Sequence, residues 1–228
     1  MNEGFKVAID GPAGSGKSSV AKALSRRFEL IHFDSGACYR AVAYYFWSED
    51  IKDPEVIERK DLASLIRLTY QKGLLFLNGN KVGDEIRTPV VSRFTSDIST
   101  KKQIREFVTA SIRDMIRGHD VIMEGRDIGS VVMPDADLKI YLTATPRERA
   151  KRRLKEWQKN GEQINLDEVI KEIELRDQQD TNRILAPLKP AEDAILLDTT
   201  SLSFHEVVEK ISGLIHRKKG DFGYYKKS

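Results

Sequence analysis

Lys17 and Ser18 close the run Gly11-Pro12-Ala13-Gly14-Ser15-Gly16-Lys17-Ser18, whose residue types and spacing suit the holding of phosphate. Glycines let backbone N–H groups close around phosphate oxygens, a lysine reaches the terminal phosphates, and a serine hydroxyl can take a place on Mg²⁺. Ser19 extends the set by one further hydroxyl. The pattern has this meaning only between a strand and a helix, and both are readable here. Phe5 to Ile9 is an apolar run expected to be a strand buried on both faces. Val20, Ala21, Leu24 and Phe28 then share one side of a helix that aims its positive end at the same anion. The run therefore predicts a nucleoside triphosphate site.

The remaining elements must present other groups at the same end of a sheet. Ile31-His32-Phe33 reads as a second strand delivering Asp34, Ser35 and Gly36, and Tyr39 to Trp47 as a helix whose aromatics are core. From Asp50 to about Arg93 the strand–helix rhythm breaks. Asp53-Pro54 and Glu58-Arg59-Lys60-Asp61 read as linker and solvated helix face. Leu74 to Leu77, Asn78-Gly79-Asn80 and Lys81-Val82 read as a β-hairpin with an Asn-Gly turn. A helix is expected from about Lys101 to Arg117, with Ile104, Val108, Ile112 and Met115 as its stripe. Val121 to Met123 is the third core strand, opening into Glu124-Gly125-Arg126-Asp127, and Leu138 to Leu142 is the fourth. A charged helix from Pro146 to about Gln158 breaks at Asn160-Gly161, and another runs from about Leu166 toward Arg176. Ala194 to Asp198 is the last strand and Ser203 to about Ile215 the closing helix. The basic tail, 217–228, is expected to be loosely ordered. Strands alternating with helices give an α/β protein, a three-layer αβα sandwich with a mostly parallel sheet. Ligands then belong at the C-terminal strand ends, where Gly11, Asp34 and Arg126 fall.

Composition narrows the field. With 228 residues, 32% charged and 40% hydrophobic, the chain matches an ordinary globular protein with one large core. A net charge of +3 gives no ground for a nucleic-acid partner. One cysteine, Cys38, excludes an internal disulfide and a cysteine-rich zinc site and suits a reducing cytoplasm. No long apolar segment follows the first Met, so neither signal peptide nor membrane span is expected.

Arginines cluster near the strand ends: Arg40, Arg126, then Arg149, Arg152, Arg153, Arg176 and Arg183. A planar guanidinium binds phosphate through two parallel hydrogen bonds and never loses its charge. A solvated helix face is the plainer account of the last group. None of His32, His119, His205 and His216 stands beside a motif, and all four read as structural or surface residues. A kinase acting on a hydroxyl recruits a base, whereas a phosphate acceptor is already largely ionised at neutral pH. Many arginines without an evident base point to a phosphate acceptor, with Asp34 and Asp127 keeping the alternative open. A guanine-nucleotide switch would carry N-K-x-D after the fourth strand, but Thr143-Ala144-Thr145-Pro146 stands there, and Asn80-Lys81-Val82-Gly83 lacks the aspartate.

The chain resembles the bacterial cytidylate kinases from the phosphate loop to about Leu202. The resemblance lies in Ile9 to Lys17, Asp34-Ser35-Gly36-Ala37-Cys38-Tyr39-Arg40, Gly83-Asp84-Glu85-Ile86-Arg87-Thr88 and Glu124 to Val132. It continues in Pro134-Asp135-Ala136, Arg176-Asp177, Asp180, Asn182-Arg183 and Ala186-Pro187-Leu188. Ser19, Ser35 and Cys38 are mild departures that remove no functional group. The resemblance implies a five-stranded parallel core within a single domain, a monophosphate-binding insertion at about 50–95 and a mobile lid at about 146–183. It implies phosphoryl transfer from ATP, with Mg²⁺, to CMP or dCMP, by a monomer with no nucleic-acid or membrane partner. Another monophosphate acceptor, UMP or AMP, is the alternative.

At matching positions it implies that Ser35, Arg40 and Arg126 hold the CMP phosphate, with Asp34 also among the substrate-binding residues. Ser96, Arg105 and Asp127 would read cytosine, and Tyr39, Arg176, Asp180 and Arg183 would surround the ribose and phosphates. Lys17, Arg40, Arg126, Asp127 and Arg183 would form the catalytic set. Arg149, Arg152 or Arg153 would cover ATP, Ser18 would meet the metal, and Glu124 or Asp10 would hold it through water. The chemistry of the base agrees: cytosine offers an N4 amine beside N3 and O2 acceptors. A carboxylate such as Asp127 can accept from the amine, while Arg105 and Ser96 can donate. Uracil would set a carbonyl against that carboxylate, the kind of unpaired polar contact from which large discrimination comes.

Overall fold

The computed structural model describes residues 4–71, 73–159 and 165–225. In chain order it runs β1 (Lys6–Asp10), α1 (Lys17–Phe28), β2 (Ile31–Asp34), α2 (Ser35–Ser48), α3 (Pro54–Glu58) and α4 (Leu62–Leu65). Then come β3 (Leu68–Gln71), β4 (Leu74–Leu77), β5 (Asn80–Lys81), α5 (Pro89–Ile98) and α6 (Lys102–Met115). The chain continues through β6 (Val121–Gly125), β7 (Leu138–Thr143), α7 (Pro146–Lys159), α8 (Leu166–Thr181), β8 (Ile195–Asp198) and α9 (Phe204–Tyr225). Two compact units divide it, one of residues 33–118 and the other of 2–32 with 119–228.

The second unit is built on β1. Its apolar run has hydrogen-bonded neighbours on both sides, pairing in parallel with β6 (Val7↔Ile122) and with β7 (Val7↔Leu138). β8 pairs in parallel with β7, and β2 completes a five-stranded sheet of order β2-β6-β1-β7-β8. Phe5, Val7, Ile9, Leu24, Ile140 and Ile211 lie in one buried cluster, so α1 and α9 share the core of β1 and β7. Each such fully buried side chain contributes roughly 1.5–3 kcal/mol relative to exposure. A smaller cluster of Ala150, Val169 and Ile173 joins α7 to α8.

In the unit 33–118, β3, β4 and β5 form an antiparallel sheet. Asn78 and Gly79 turn between β4 and β5 with φ of 50° and 83°, the backbone that an Asn-Gly hairpin turn requires. The expected hairpin is therefore present, and β3 is a third strand beyond it. The stretch expected to be linker and solvated helix face holds two short helices. Asp53 caps α3 by accepting from Glu55 N–H at 2.9 Å, with Pro54 following, and Asp61 caps α4 from Ala63 N–H at 3.2 Å.

Boundaries move elsewhere too. α8 continues to Thr181, and α9 does not stop near Ile215 but runs to Tyr225, so 217–225 is helix rather than a loose tail. Lys219 anchors it, with Nζ 5.5 Å from the Phe5 ring centre and 3.7 Å from an Asp120 oxygen. His216, expected in the tail, meets the Phe28 ring edge-on at 4.8 Å. The expected break at Asn160-Gly161 and residues 226–228 lie outside the described residues. Among the described residues no helix is long and apolar enough to cross a membrane.

Candidate active site

The loop between β1 and α1 has the backbone its glycines foretell. Gly11 takes φ +147°, and a Cβ there would stand 2.0 Å from the Leu142 carbonyl oxygen. Gly16 caps α1 at φ 91°, and the first turn of that helix carries no acidic residue to cancel its positive end. Lys17, 6% exposed, folds its ammonium back over the loop, donating to Pro12 O at 2.7 Å and Ser15 Oγ at 3.3 Å. Burial, aided by the Arg126 charge, holds its pKa well below the ordinary lysine range against the opposing pull of Glu124 and Asp10. A cavity of about 430 Å³ lies against the loop, lined by Gly14, Ser18, Ser19, Arg152, Arg153 and Phe204 among others.

Ser18 Oγ donates to Glu124 Oε2, and the other oxygen of that carboxylate stands 2.9 Å from His32 Nε2. Hydroxyl and carboxylate oxygens beside a phosphate site are the donors Mg²⁺ takes, one or two from protein with the rest from phosphate and water. Among the described residues no group of three or more His, Cys, Asp or Glu is placed to hold a metal ion. Asp10 is differently engaged. Its Oδ1 accepts from Ile128 N–H at 2.8 Å and its Oδ2 from Gly129 N–H at 2.7 Å. Burial raises its pKa to about 6, even though both N–H groups favour the charged form. It thus fastens the π-type turn Ile128–Val132 that follows Arg126 and Asp127, the latter 5% exposed.

Asp10→Ala strands both N–H donors and should destabilise the fold by about 1–3 kcal/mol in urea denaturation. A carboxyl whose folded pKa is raised stabilises most when protonated, and that contribution shrinks as pH climbs from the ordinary Asp value to about 6. The deficit should therefore be larger at about pH 5 than at about pH 7. An unchanged midpoint at both pH values would remove Asp10 from this role.

The arginines separate by what they touch. Arg126 Nε donates to Asp180 Oδ2 at 2.8 Å, and Arg183 donates to Asp180 Oδ1. Burial pushes the Asp180 carboxyl upward, but the charges of Arg126 and Arg183 outweigh it, so its pKa lies below the ordinary range. Arg176, one turn earlier on α8, adds its charge to both Asp180 and Lys17. Arg149 is 4% exposed and spans three segments. Its Nε donates to Ala144 O and its Nη1 to Ala13 O, both at 2.9 Å, and its Nη2 is 2.6 Å from Asp177. Arg152 grips Thr199 through its hydroxyl at 3.0 Å and its carbonyl at 2.7 Å, and Arg153 donates to Glu172 at 3.0 Å. Of these three, Arg152 and Arg153 line the cavity and Arg149 braces its loop.

The unit 33–118 gathers the others around Asp34, which caps α2 by accepting from Ala37 N–H at 3.2 Å. The same carboxylate accepts from Arg40 at 2.7 Å and from Arg87 at 3.3 Å. Among the described residues the buried Arg40 Nε has no hydrogen-bond partner. Ser35, next to Asp34 in sequence, is buried. Arg105, 7% exposed, lies with its guanidinium carbon 5.6 Å from the Tyr39 ring centre and donates to Ser99 O at 3.2 Å. Ser96 on α5 donates to Ser92 O at 3.4 Å. Three participants have no role in the sequence reading: Arg87, Asp177 and His32. Arg87 and Asp177 stand inside quoted motifs, which was the available signal. His32 has none.

Comparison with known proteins covers nearly the whole chain. The cytidylate kinase family model matches residues 7–217. A cytidylate kinase of Thermosipho melanesiensis is 45% identical over 213 residues, 93% of this chain and 97% of that protein. Those of Pseudothermotoga lettingae and Fervidobacterium nodosum are 44% and 43% identical, covering 94% and 93% of this chain and 95% and 97% of their own lengths.

Proposed function

Because the chain belongs to the cytidylate kinase family, we propose that its phosphate loop holds ATP with Mg²⁺ while the arginines and Asp34 handle CMP or dCMP. The activity is ATP-dependent phosphorylation of CMP, a nucleoside monophosphate kinase reaction. The observation that supports the donor assignment most is Lys17, a buried ammonium that donates hydrogen bonds to neutral oxygens of its own loop. A triphosphate offers that cation far better partners than Pro12 O, so the lysine can turn to it without disturbing the backbone.

Arg152 and Arg153 are assigned to the nucleotide because they line the cavity, and Arg149 to holding Ala13 in place. Arg40, Arg126 and Arg183 are assigned to phosphoryl oxygens, with Asp34 and Asp180 aiming them. Ser35 joins Arg40 on the acceptor phosphate, and Tyr39 and Arg176 flank ribose and phosphates. Arg105 and Ser96 donate to the cytosine acceptors, and Asp127 accepts from its amine. Mg²⁺, met by Ser18 and supported by Glu124, would neutralise charge on the transferring group. The acceptor phosphate is ionised at neutral pH, so no side chain has to remove a proton. Catalysis is then positioning and charge neutralisation.

ADP release against a panel of nucleoside monophosphates tests this. CMP and dCMP should exceed UMP, AMP and GMP in kcat/KM by on the order of 10²-fold or more, as expected where buried polar groups are left unpaired by the wrong base. A purine monophosphate phosphorylated as efficiently as CMP overturns the assignment.

A further inference from the structure

We propose that His32 is a positioning residue for Ser18: it fixes the Glu124 carboxylate so that the serine presents a lone pair to the divalent cation accompanying ATP. The inference rests on the Mg²⁺ part of the reading above. Three groups stand in line. His32 Nε2, on a side chain 19% exposed, is 2.9 Å from Glu124 Oε1. Glu124, 5% exposed in its side chain, accepts from Ser18 Oγ through Oε2. Ser18 follows Lys17 in the first turn of α1 and lines the cavity.

The hydroxyl chemistry gives the chain its direction. A serine oxygen that coordinates a cation must point its hydrogen elsewhere, and an ionised carboxylate is a strong acceptor for it. Glu124 also needs to be held. Its terminal torsion is broad, so a single contact to Ser18 leaves the carboxylate plane free to swing. A second hydrogen bond, to the opposite oxygen, removes that freedom. With Glu124 ionised, His32 Nε2 must carry the proton and donate. The ring thereby sets the carboxylate, and the carboxylate sets the hydroxyl. A group that holds a metal ligand directly, as Glu124 would hold Ser18, is worth about 10–100-fold in metal affinity, and His32, one contact further out, belongs at the lower end of that range. A purely architectural His–Glu pair would instead change stability without regard to metal.

Calorimetric titration of ADP, with Mg²⁺ and with a chelator, separates the two accounts. The parent should bind ADP more tightly with Mg²⁺. His32→Leu should lose about 10-fold of that metal-dependent gain. Its affinity for ADP in chelator and for CMP should stay at the parent values. His32→Gln, whose amide nitrogen reaches about as far as the ring Nε2, should retain most of the gain. Should leucine not be accommodated in β2, His32→Phe keeps a ring, removes the N–H and carries the same test. A full metal-dependent gain in the variant lacking the donor overturns the inference, and so does an equal loss with and without metal. No gain in the parent itself locates the failure in the Mg²⁺ reading, and the inference falls with it.

Discussion

Lys17→Ala should cut kcat by roughly 10³-fold while leaving a cooperative unfolding transition, because the lost charge acts on the phosphoryl group in transit. In the folded protein the ammonium is buried, and that burial holds its pKa well below the ordinary lysine value. A cation in that state detracts from stability at neutral pH, since the unfolded chain would solvate it better. Replacing it strands Pro12 O and little else, so the melting temperature should hold or rise. CMP affinity, measured by titration, should stay near the parent value. Near-normal turnover with an unchanged melting profile would refute the role.

Asp180→Ala should be the costliest single change in the arginine group. Its two oxygens accept from Arg126 and Arg183, and its side chain is 3% exposed. Removing one partner from a buried ion pair leaves an uncompensated charge and costs about 3–5 kcal/mol. Part of that appears as lost stability in denaturant titration, and part as arginines no longer aimed. With a phosphate-directed role for Arg126 and Arg183, kcat/KM should fall by about 10²-fold or more for both CMP and dCMP. The carboxylate keeps further lone pairs that a ribose hydroxyl could use. That use would add a penalty for CMP over dCMP, because only CMP carries the 2′-hydroxyl. A loss confined to CMP would leave Asp180 a ribose contact and nothing more. Unchanged stability would remove the buried-pair argument.

Local signals make most of the frame legible in the sequence. The glycine spacing before Lys17 requires a tight strand-to-helix turn, and Asn78-Gly79 requires positive φ. Both requirements are met because they depend on backbone sterics a few residues wide. The parallel sheet follows from apolar runs separated by helices. What is not legible is pairing at distance. His32 and Glu124 lie 92 positions apart, and Arg149 and Ala13 lie 136 apart. Composition alone made Arg149 one more member of a charged helix face, yet three oxygens from separate segments enclose it. The end of α9 misleads for a related reason. Gly213 and Gly220 weaken the local helix signal. Contacts of Lys219 with Phe5 and Asp120, more than ninety positions away, supply what the local sequence lacks.

The Arg149 brace has a thermodynamic consequence. One guanidinium holds Ala13 in the phosphate loop and Asp177 on α8, while its own backbone belongs to α7. Segments tied through one rigid fork share a free-energy linkage, and linkage is symmetric. If occupancy of the loop steadies α8, then whatever steadies α8 tightens occupancy of the loop by the same factor. A solute, temperature change or substitution that acts on α8 without touching a nucleotide would thus register as altered nucleotide affinity.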